Sequence, residues 1–366
     1  MADVAVGVEP RPFLTEDRAR GDHTVASLAS ACIARYDADE DGVLDRAEIQ
    51  RLLADLLDDD DASAGRKAAR LSDAQLDTIW ALLTGGRSDS GGVSAADLAA
   101  VWPAWIAPIL RPCTALIIVD VQNDFIDGTL GLKFCPAGQD GAAVVPRINR
   151  LREAVGAAFA LVVTTADAHP ADHCSFIDNV AKQRLHPSSP LTAVDAKVFD
   201  TVLLDYNGRA IPQKLWPAHC VQGTWGEEFH ADLVRRPTDV LLRKGTRADV
   251  DSYSAFWDNA RLAATGLHDT LRAAGVTDVV VCGLAFDVCV HATVMDAVEL
   301  GYRTILVEEA CAGVTAEGIA SARTAMQAAG VLLMPADAVP SLTEGTHRPA
   351  TLAVAHAAFL AKKQPA

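Results

Sequence analysis

Four apolar, β-branched runs in this chain each lead directly into a residue able to do chemistry. Asp120 closes the run 114–119, in Asp120-Val121-Gln122-Asn123-Asp124-Phe125. The run 160–165 leads into Asp167-Ala168-His169-Pro170, with His173 four residues past His169. Lys244 closes 238–243, and the run 278–283 opens onto Leu284-Ala285-Phe286-Asp287-Val288-Cys289-Val290. A long connection adds Trp216-Pro217-Ala218-His219-Cys220. An aspartate, a lysine and a cysteine brought to one point form a nucleophile with an acid/base partner. Asp167, His169 and a distant His219 are the donor types of a three-ligand metal site with open positions. Read locally, Cys289 falls in the first turn of a helix, where unpaired N–H groups and the dipole favour an anion. Its thiol is therefore expected to shift toward the thiolate, with Asp287 as a cap on that turn. Each residue alone has a plainer reading: a small buried hydrophobe, a cap, a solvated charge, a histidine packed beside Trp216. Their coincidence at successive strand ends is what argues for a site.

The elements that must position them follow from periodicity. Candidate strands cover 114–119, 160–165, 238–243, 278–283, 303–307 and 331–334, with helical patterns over 142–158, 266–274, 288–300 and 315–329. Apolar strands alternating with helices imply an α/β, three-layer α/β/α domain over 111–340, its sheet mostly parallel and covered on both faces. Ligands in such sheets bind beyond the carboxyl ends of the strands, where these residues stand.

The amino-terminal third differs. Residues 1–23 carry no periodic pattern and read as loose. Within 24–110, two helical patterns flank Asp37-Ala38-Asp39-Glu40-Asp41-Gly42-Val43-Leu44-Asp45-Arg46-Ala47-Glu48. Asp37, Asp39, Asp41, Asp45 and Glu48 occupy positions 1, 3, 5, 9 and 12 of an EF-hand loop, Val43 offers its carbonyl at position 7, and Gly42 makes the turn at 6. Hard oxygen ligands in that order suit calcium. A second loop, 86–97, keeps Gly91 and Asp97 but carries Gly86 at position 1 and serines at 3, 5 and 9, so it reads as a degenerate, metal-free partner in a small all-α domain. Asp58–Asp61 open a polar linker between the two hands. Trp102, Trp105 and Ile106 read as docking this lobe onto the α/β domain, and 341–366 reads as a C-terminal tail.

Composition sets the outer bounds. The chain has 366 residues and a net charge of −16, with 20 acidic and 10 basic residues in 1–110 against 28 and 22 in the remainder. That balance excludes nucleic acid and anionic membrane as expected partners. Eight cysteines without framework spacing suit reduced thiols, and with neither a secretory signal nor a membrane-spanning run the expectation is a soluble cytoplasmic protein. Oligomeric state stays open, a homo-oligomer included.

The motifs also carry a resemblance. Asp120–Phe125, D-A-H-P-A-D-H-C-S-F-I-D-N-V at 167–180, W-P-A-H-C-V-Q-G-T-W-G at 216–226, R-K-G at 243–245, D-S-Y-S-A-F at 251–256 and G-L-A-F-D-V-C-V at 283–290 resemble the nicotinamidases among the isochorismatase-like cysteine hydrolases. An EF-hand lobe ahead of such a domain resembles some animal members. The resemblance implies hydrolysis of nicotinamide, or pyrazinamide-like analogues, through a cysteine thioester in NAD salvage. It implies Asp120, Lys244 and Cys289 as the triad, and Asp167, His169 and His219 as ligands of a divalent metal, with zinc, iron and manganese all fitting and His173 as an extra or water-mediated ligand. It also implies a cis peptide joining Leu284 to Ala285, with the N–H groups of Ala285 and Cys289 as the oxyanion hole, and Phe125, Trp216 and Tyr253 as pocket walls. Ala168 departs from the bulky residue usual there, which bears on the tightness of the pocket. Two alternatives stand beside this reading: a carbamoyl-type amide hydrolase of the same fold, and a calcium-responsive binding protein with an idle hydrolase domain.

Overall fold

A computed structural model of the chain describes residues 24–61, 67–87 and 91–364. The stretch 1–23 that the sequence reads as loose, residues 62–66 of the linker, Ser88–Ser90 of the second loop and residues 365–366 lie outside the described residues. The chain divides into two compact units, one of Met1–Cys113 with Pro340–Ala366 and one of Thr114–Val339.

The first unit is helical. Helix α1 (Val25–Tyr36) is capped by Thr24, and α2 (Arg46–Leu56) by a capping box between Asp45 and Glu48. Helix α3 (Asp73–Thr84) begins with a second box, Ser72 with Gln75, and ends on Gly85 in the left-handed conformation. Helix α4 (Ala95–Val101) runs on through a π-helical stretch, Trp102–Ile106, to Leu110. Leu44 and Val93 exchange backbone hydrogen bonds, both 2.9 Å, so the two loops are stitched together at the same position of each. Trp102, Trp105 and Ile106, expected to dock the lobe, are instead buried in the core of this unit. The segment read as a tail is corrected too. Residues 350–361 form an apolar helix that packs on α3, and the Trp105 indole N–H donates to the Ala353 carbonyl at 2.9 Å.

The second unit holds a six-stranded, all-parallel sheet in the order β5-β2-β1-β6-β7-β8. Its strands are β1 (Thr114–Val119), β2 (Phe159–Asp167), β5 (Val240–Lys244), β6 (Asp278–Leu284), β7 (Arg303–Ala312) and β8 (Leu332–Leu333). Helices α5 (Val144–Val155), α6 (Leu267–Ala273), α7 (His291–Glu299) and α8 (Ala316–Ala328) fall where the periodicity puts them. Every residue of β1 and β6 is buried, which is why both read as continuous apolar runs. From β1 the chain builds toward β5 on one side and, from β6, toward β8 on the other. The order therefore switches between β1 and β6, where the crevice of an open α/β sheet forms.

One element has no counterpart among the sequence expectations. Strands β3 (Thr201–Tyr206) and β4 (Arg209–Lys214) form an antiparallel hairpin in the long connection. Its signal is present in Asn207-Gly208, both at positive φ (53° and 82°), the dipeptide of a two-residue hairpin turn. No helix among the described residues is long and apolar enough to cross a membrane.

Candidate active site

The parallel register does the first part of the assembly. Asp167 and Lys244 are cross-strand partners at the ends of β2 and β5. Asp120 follows β1, held in the left-handed region (φ 47°), a strained conformation for a non-glycine residue. Beyond β6 the Leu284–Ala285 peptide is cis, and a π-helical turn, Phe286–Val290, carries Cys289 ahead of α7. Lys244 sits at the focus. Its Nζ lies 2.9 Å from Asp120 Oδ2, 2.5 Å from Asp167 Oδ1, 3.4 Å from Cys289 Sγ and 2.9 Å from the Ser252 carbonyl. The thiol and both carboxylates lie within 4.8 Å of one another, all buried.

Burial and charge set the proton affinities. Burial pushes the Asp120 carboxyl up to about 6, against the pull of Lys244 and with Asp167 adding to the rise. Burial acts the same way on Asp167, but Lys244 and then His169 overcome it and hold that carboxyl well below the usual range. Lys244 is raised well above the ordinary lysine value by Asp120 and Asp167 in spite of its burial. It is a fixed cation. The expected acidic thiol is corrected here: burial pushes Cys289 well above 9, Lys244 only partly offsets this, and Asp167 and Asp120 add to the rise. A helix terminus does not outweigh desolvation in a dry site with two carboxylates. Asp287 is corrected as well. It caps no turn of its own and instead accepts the N–H groups of Val314 (2.7 Å) and Thr315 (3.0 Å).

The second cluster faces the first. One donor atom each from Asp167, His169 and His219 lies within 4.8 Å of the others. His169 Nδ1 is 2.9 Å from the Gly245 carbonyl and His219 Nδ1 is 2.8 Å from the Pro217 carbonyl. Each Nδ1 therefore carries the hydrogen, and each Nε2 presents its lone pair inward, the orientation a divalent metal needs. Burial pushes His219 down to about 4, which keeps it neutral. Asp167 Oδ2 lies 3.6 Å from His169 Nε2 and raises that ring's proton affinity against burial, so the gap between them favours a cation. Gly245 is required by geometry: at φ +63° a Cβ there would come 2.3 Å from the His169 ring. His173 is outside that group but forms a second one with His169 and Asp251, one donor atom of each within 4.8 Å of the others. Its ring stacks on His169 at 4.1 Å, and its Nε2 is 4.0 Å from Asp251.

Between the clusters lies a pocket of about 380 Å³, counting its open mouth. Phe125, Trp216 and Tyr253 line it, with Leu130, Leu132, Val288 and Val314, which sequence reasoning did not single out. Asp167, His169, His219, Ala285 and Cys289 supply its reactive edges, while Lys244 and Asp120 are buried outside its lining. Ala168 is fully buried and does not line the pocket. The departure there does not loosen the walls.

In the first unit, the loop Asp37–Glu48 brings Asp37, Asp39 and Glu48 within 4.8 Å of one another. Asp41 and Asp45 are not in that group: Asp41 accepts the Val43 N–H at 3.0 Å, and Asp45 caps α2. Glu48 receives the N–H groups of Ala38 (2.6 Å) and Asp45 (3.1 Å). Partial desolvation and the charges of Asp41 and Glu48 raise the Asp39 carboxyl, a crowding that a cation would relieve. In the second loop, Asp97 pairs with Arg87 at 2.9 Å and with Ser94. A protein cation already serves that carboxylate.

The family model of the isochorismatase domain matches residues 114–338. Among curated proteins, the chain is 38% identical over 205 residues to a nicotinamidase of Acinetobacter baylyi, covering 56% of this chain and 83% of that one. It is 37% identical over 224 residues to the nicotinamidase of Escherichia coli, covering 61% and 94%. A solved nicotinamidase/pyrazinamidase of Acinetobacter baumanii superposes with a TM-score of 0.51 at 37% identity, over 62% of this chain and 97% of that one. With an all-parallel sheet, an aspartate and a cysteine at its switch point reached by a lysine from the end of β5, and this match across the second unit, the chain belongs to the isochorismatase-domain family.

Proposed function

We propose that the chain hydrolyses nicotinamide to nicotinate and ammonia in NAD salvage in the cytoplasm, through a thioester on Cys289. The observation that carries this is Cys289 Sγ on the lining of a small apolar pocket, backed by Lys244 Nζ and Asp120 just behind it, with Asp167, His169 and His219 on the same lining. Because the resting thiol is protonated, Asp120 acts as a general base during attack. As Sγ bonds to the amide carbon, the thiol proton passes to Asp120, and the carbonyl oxygen takes up charge facing the N–H groups of Ala285 and Cys289. The C–N bond then breaks, Asp120 returns its proton to the leaving ammonia, and Asp120 next activates the water that splits the thioester. Lys244 keeps Asp120 ionisable in a buried site and balances Asp167. Phe125, Trp216 and Tyr253 would hold a flat heteroaromatic ring, which also admits pyrazinamide-like analogues.

The donor set of Asp167, His169 and His219, with both Nε2 lone pairs turned inward, fits zinc, iron or manganese. Such an ion would supply a Lewis-acid anchor for the ring nitrogen. We also propose one calcium per chain in the loop Asp37–Glu48, and none in the loop that ends at Asp97.

Ammonia release measured with nicotinamide, beside an acyclic carbamoyl amide, tests the reading. Acid-quenched enzyme should carry an acyl adduct on the Cys289 peptide. Turnover of the carbamoyl amide alone, or an adduct on Cys220 or Cys282, would overturn it.

A further inference from the structure

The turn Asp120–Phe125 does more than supply a base. We propose that Gln122 and Asp124 are positioning residues for the metal site, each holding the backbone beside one metal donor from a different part of the chain. This rests on the proposed metal role of Asp167, His169 and His219.

Gln122 is fully buried. Its Oε1 accepts the Asp167 N–H at 2.9 Å, and its Nε2 donates to the Asp167 carbonyl at 2.7 Å and to the Glu227 carbonyl at 2.8 Å. The β1–β2 ladder stops at Ile118 and Thr164, so the edge of β2 that faces β1 has no strand beside it at Asp167. The side-chain amide takes the place of that missing strand. With β5 paired on the other edge, the Asp167 backbone is held from both sides.

Asp124 does the same for the other arm. Its Oδ2 accepts the Cys220 N–H at 2.7 Å and its Oδ1 the Thr129 N–H at 3.0 Å. Cys220, next to His219, has φ 46°, a left-handed conformation that needs outside support. Thr129 Oγ1 donates to the Ala218 carbonyl at 2.6 Å, so the residues on either side of His219 are both tied to the turn. The carboxylate lies in a slot between two glycines. A Cβ on Gly128 or Gly226 would come within 2.1 or 1.9 Å of its oxygens. Charge-assisted bonds of this kind are strong and directional. Neither residue is among the three donors; both fix where the donors stand.

The chemistry of the slot makes the substitution informative. In Asp124→Asn one of two backbone N–H donors would face an amide NH₂ in place of an acceptor. Gln122→Met keeps the length of the side chain and loses all three bonds.

The test is zinc affinity of the full chain, measured by competition with a chelator in wild type, Asp124→Asn, Gln122→Met and a His219→Ala control. Loss of partners that orient metal ligands typically weakens binding by about 10- to 100-fold. We expect that loss in both variants, with a lower melting temperature as well because buried backbone groups lose their partners, and a raised KM for nicotinamide that recovers in excess zinc. Wild-type zinc affinity in the folded variants, accompanied only by a lower melting temperature, would show a merely structural role and overturn the proposal. Equal zinc binding by wild type and His219→Ala would instead overturn the metal reading beneath it. Should Asp124→Asn fail to fold, Thr129→Val, at an exposed position, removes only the tie to Ala218. It should weaken zinc several-fold, and no change would count against the Asp124 arm.

Discussion

Asparagine at position 120 separates a thiol that needs a base from one that is already ionised. Asn keeps the shape of the side chain and an oxygen for the Thr165 hydroxyl, which donates to Asp120 Oδ1 at 2.6 Å. What it removes is the carboxylate beside Lys244 and Cys289, whose proton affinity burial raises to about 6. In the wild-type enzyme kcat/KM should fall about tenfold per pH unit below about 6, as Asp120 takes up a proton, and reach a plateau above it. This acid limb belongs to the linked cluster of Asp120, Lys244 and Cys289. In Asp120→Asn only thiolate formed without the base can attack. At its ordinary value of 9.0 a thiol is about 1% ionised at pH 7, and burial raises Cys289 beyond that. Removing the Asp120 charge relieves part of the rise, since Asp120 is a smaller contributor than burial and Asp167. The expected loss at pH 7 is therefore about 10²–10⁴-fold. Its signature is the profile: the limb near 6 disappears, and the residual rate climbs about tenfold per unit through pH 9. Steady-state ammonia release across roughly pH 5–9.5 reads both, the limb near 6 in full and the foot of the thiol's rise. A retained plateau within tenfold of wild type, with the limb still near 6, would refute the assignment of Asp120 as base.

Three further outcomes are expected from the same geometry. His219→Ala should lose its bound divalent ion by metal analysis and raise KM for nicotinamide more than it lowers kcat; full metal content with an unchanged KM would remove His219 from the site. Isothermal titration should find one calcium per chain, absent in Glu48→Gln, because the second loop already pairs Asp97 with Arg87; two sites of similar affinity would contradict this. Arg303 and Asp278 form a buried ion pair at 2.6 Å at the amino ends of β7 and β6, away from the site. Arg303→Leu should therefore cost about 3–5 kcal/mol in urea unfolding while leaving activity per folded molecule intact; a loss below about 1 kcal/mol would show that Asp278 tolerates burial without its partner.

Much of the candidate site is legible in the chain because its residues sit at ends of elements with short-range patterns. Thr114–Val119 and Asp278–Leu284 are apolar throughout because both faces of a parallel strand are covered, so their ends, and with them Asp120 and the Cys289 turn, are marked in sequence. The acidic loop Asp37–Glu48 is equally local, with its spacing carried by twelve consecutive residues. The hairpin at Thr201–Lys214 is as legible, through Asn207-Gly208, yet it escapes a reading built on alternating strands and helices because its strands belong to no part of the main sheet.

What sequence alone determined was therefore which residues could act and which elements would carry them. Periodicity, turns and caps depend on neighbours a few positions away. Tertiary structure decided the state of those residues. The thiol is expected to be acidic from its helix, but it is held protonated by burial and by carboxylates from strands more than a hundred residues upstream. His173, close to His169 in the chain, stacks behind it, while the distant His219 faces it. Residues 350–361, which read as a tail, complete a helical core begun at Val25. Gln122 and Asp124 look like filler in a motif until their partners, 45 and 96 positions away, come into place. Desolvation, charge coupling and backbone support act through space, and only the fold brings those distances within reach.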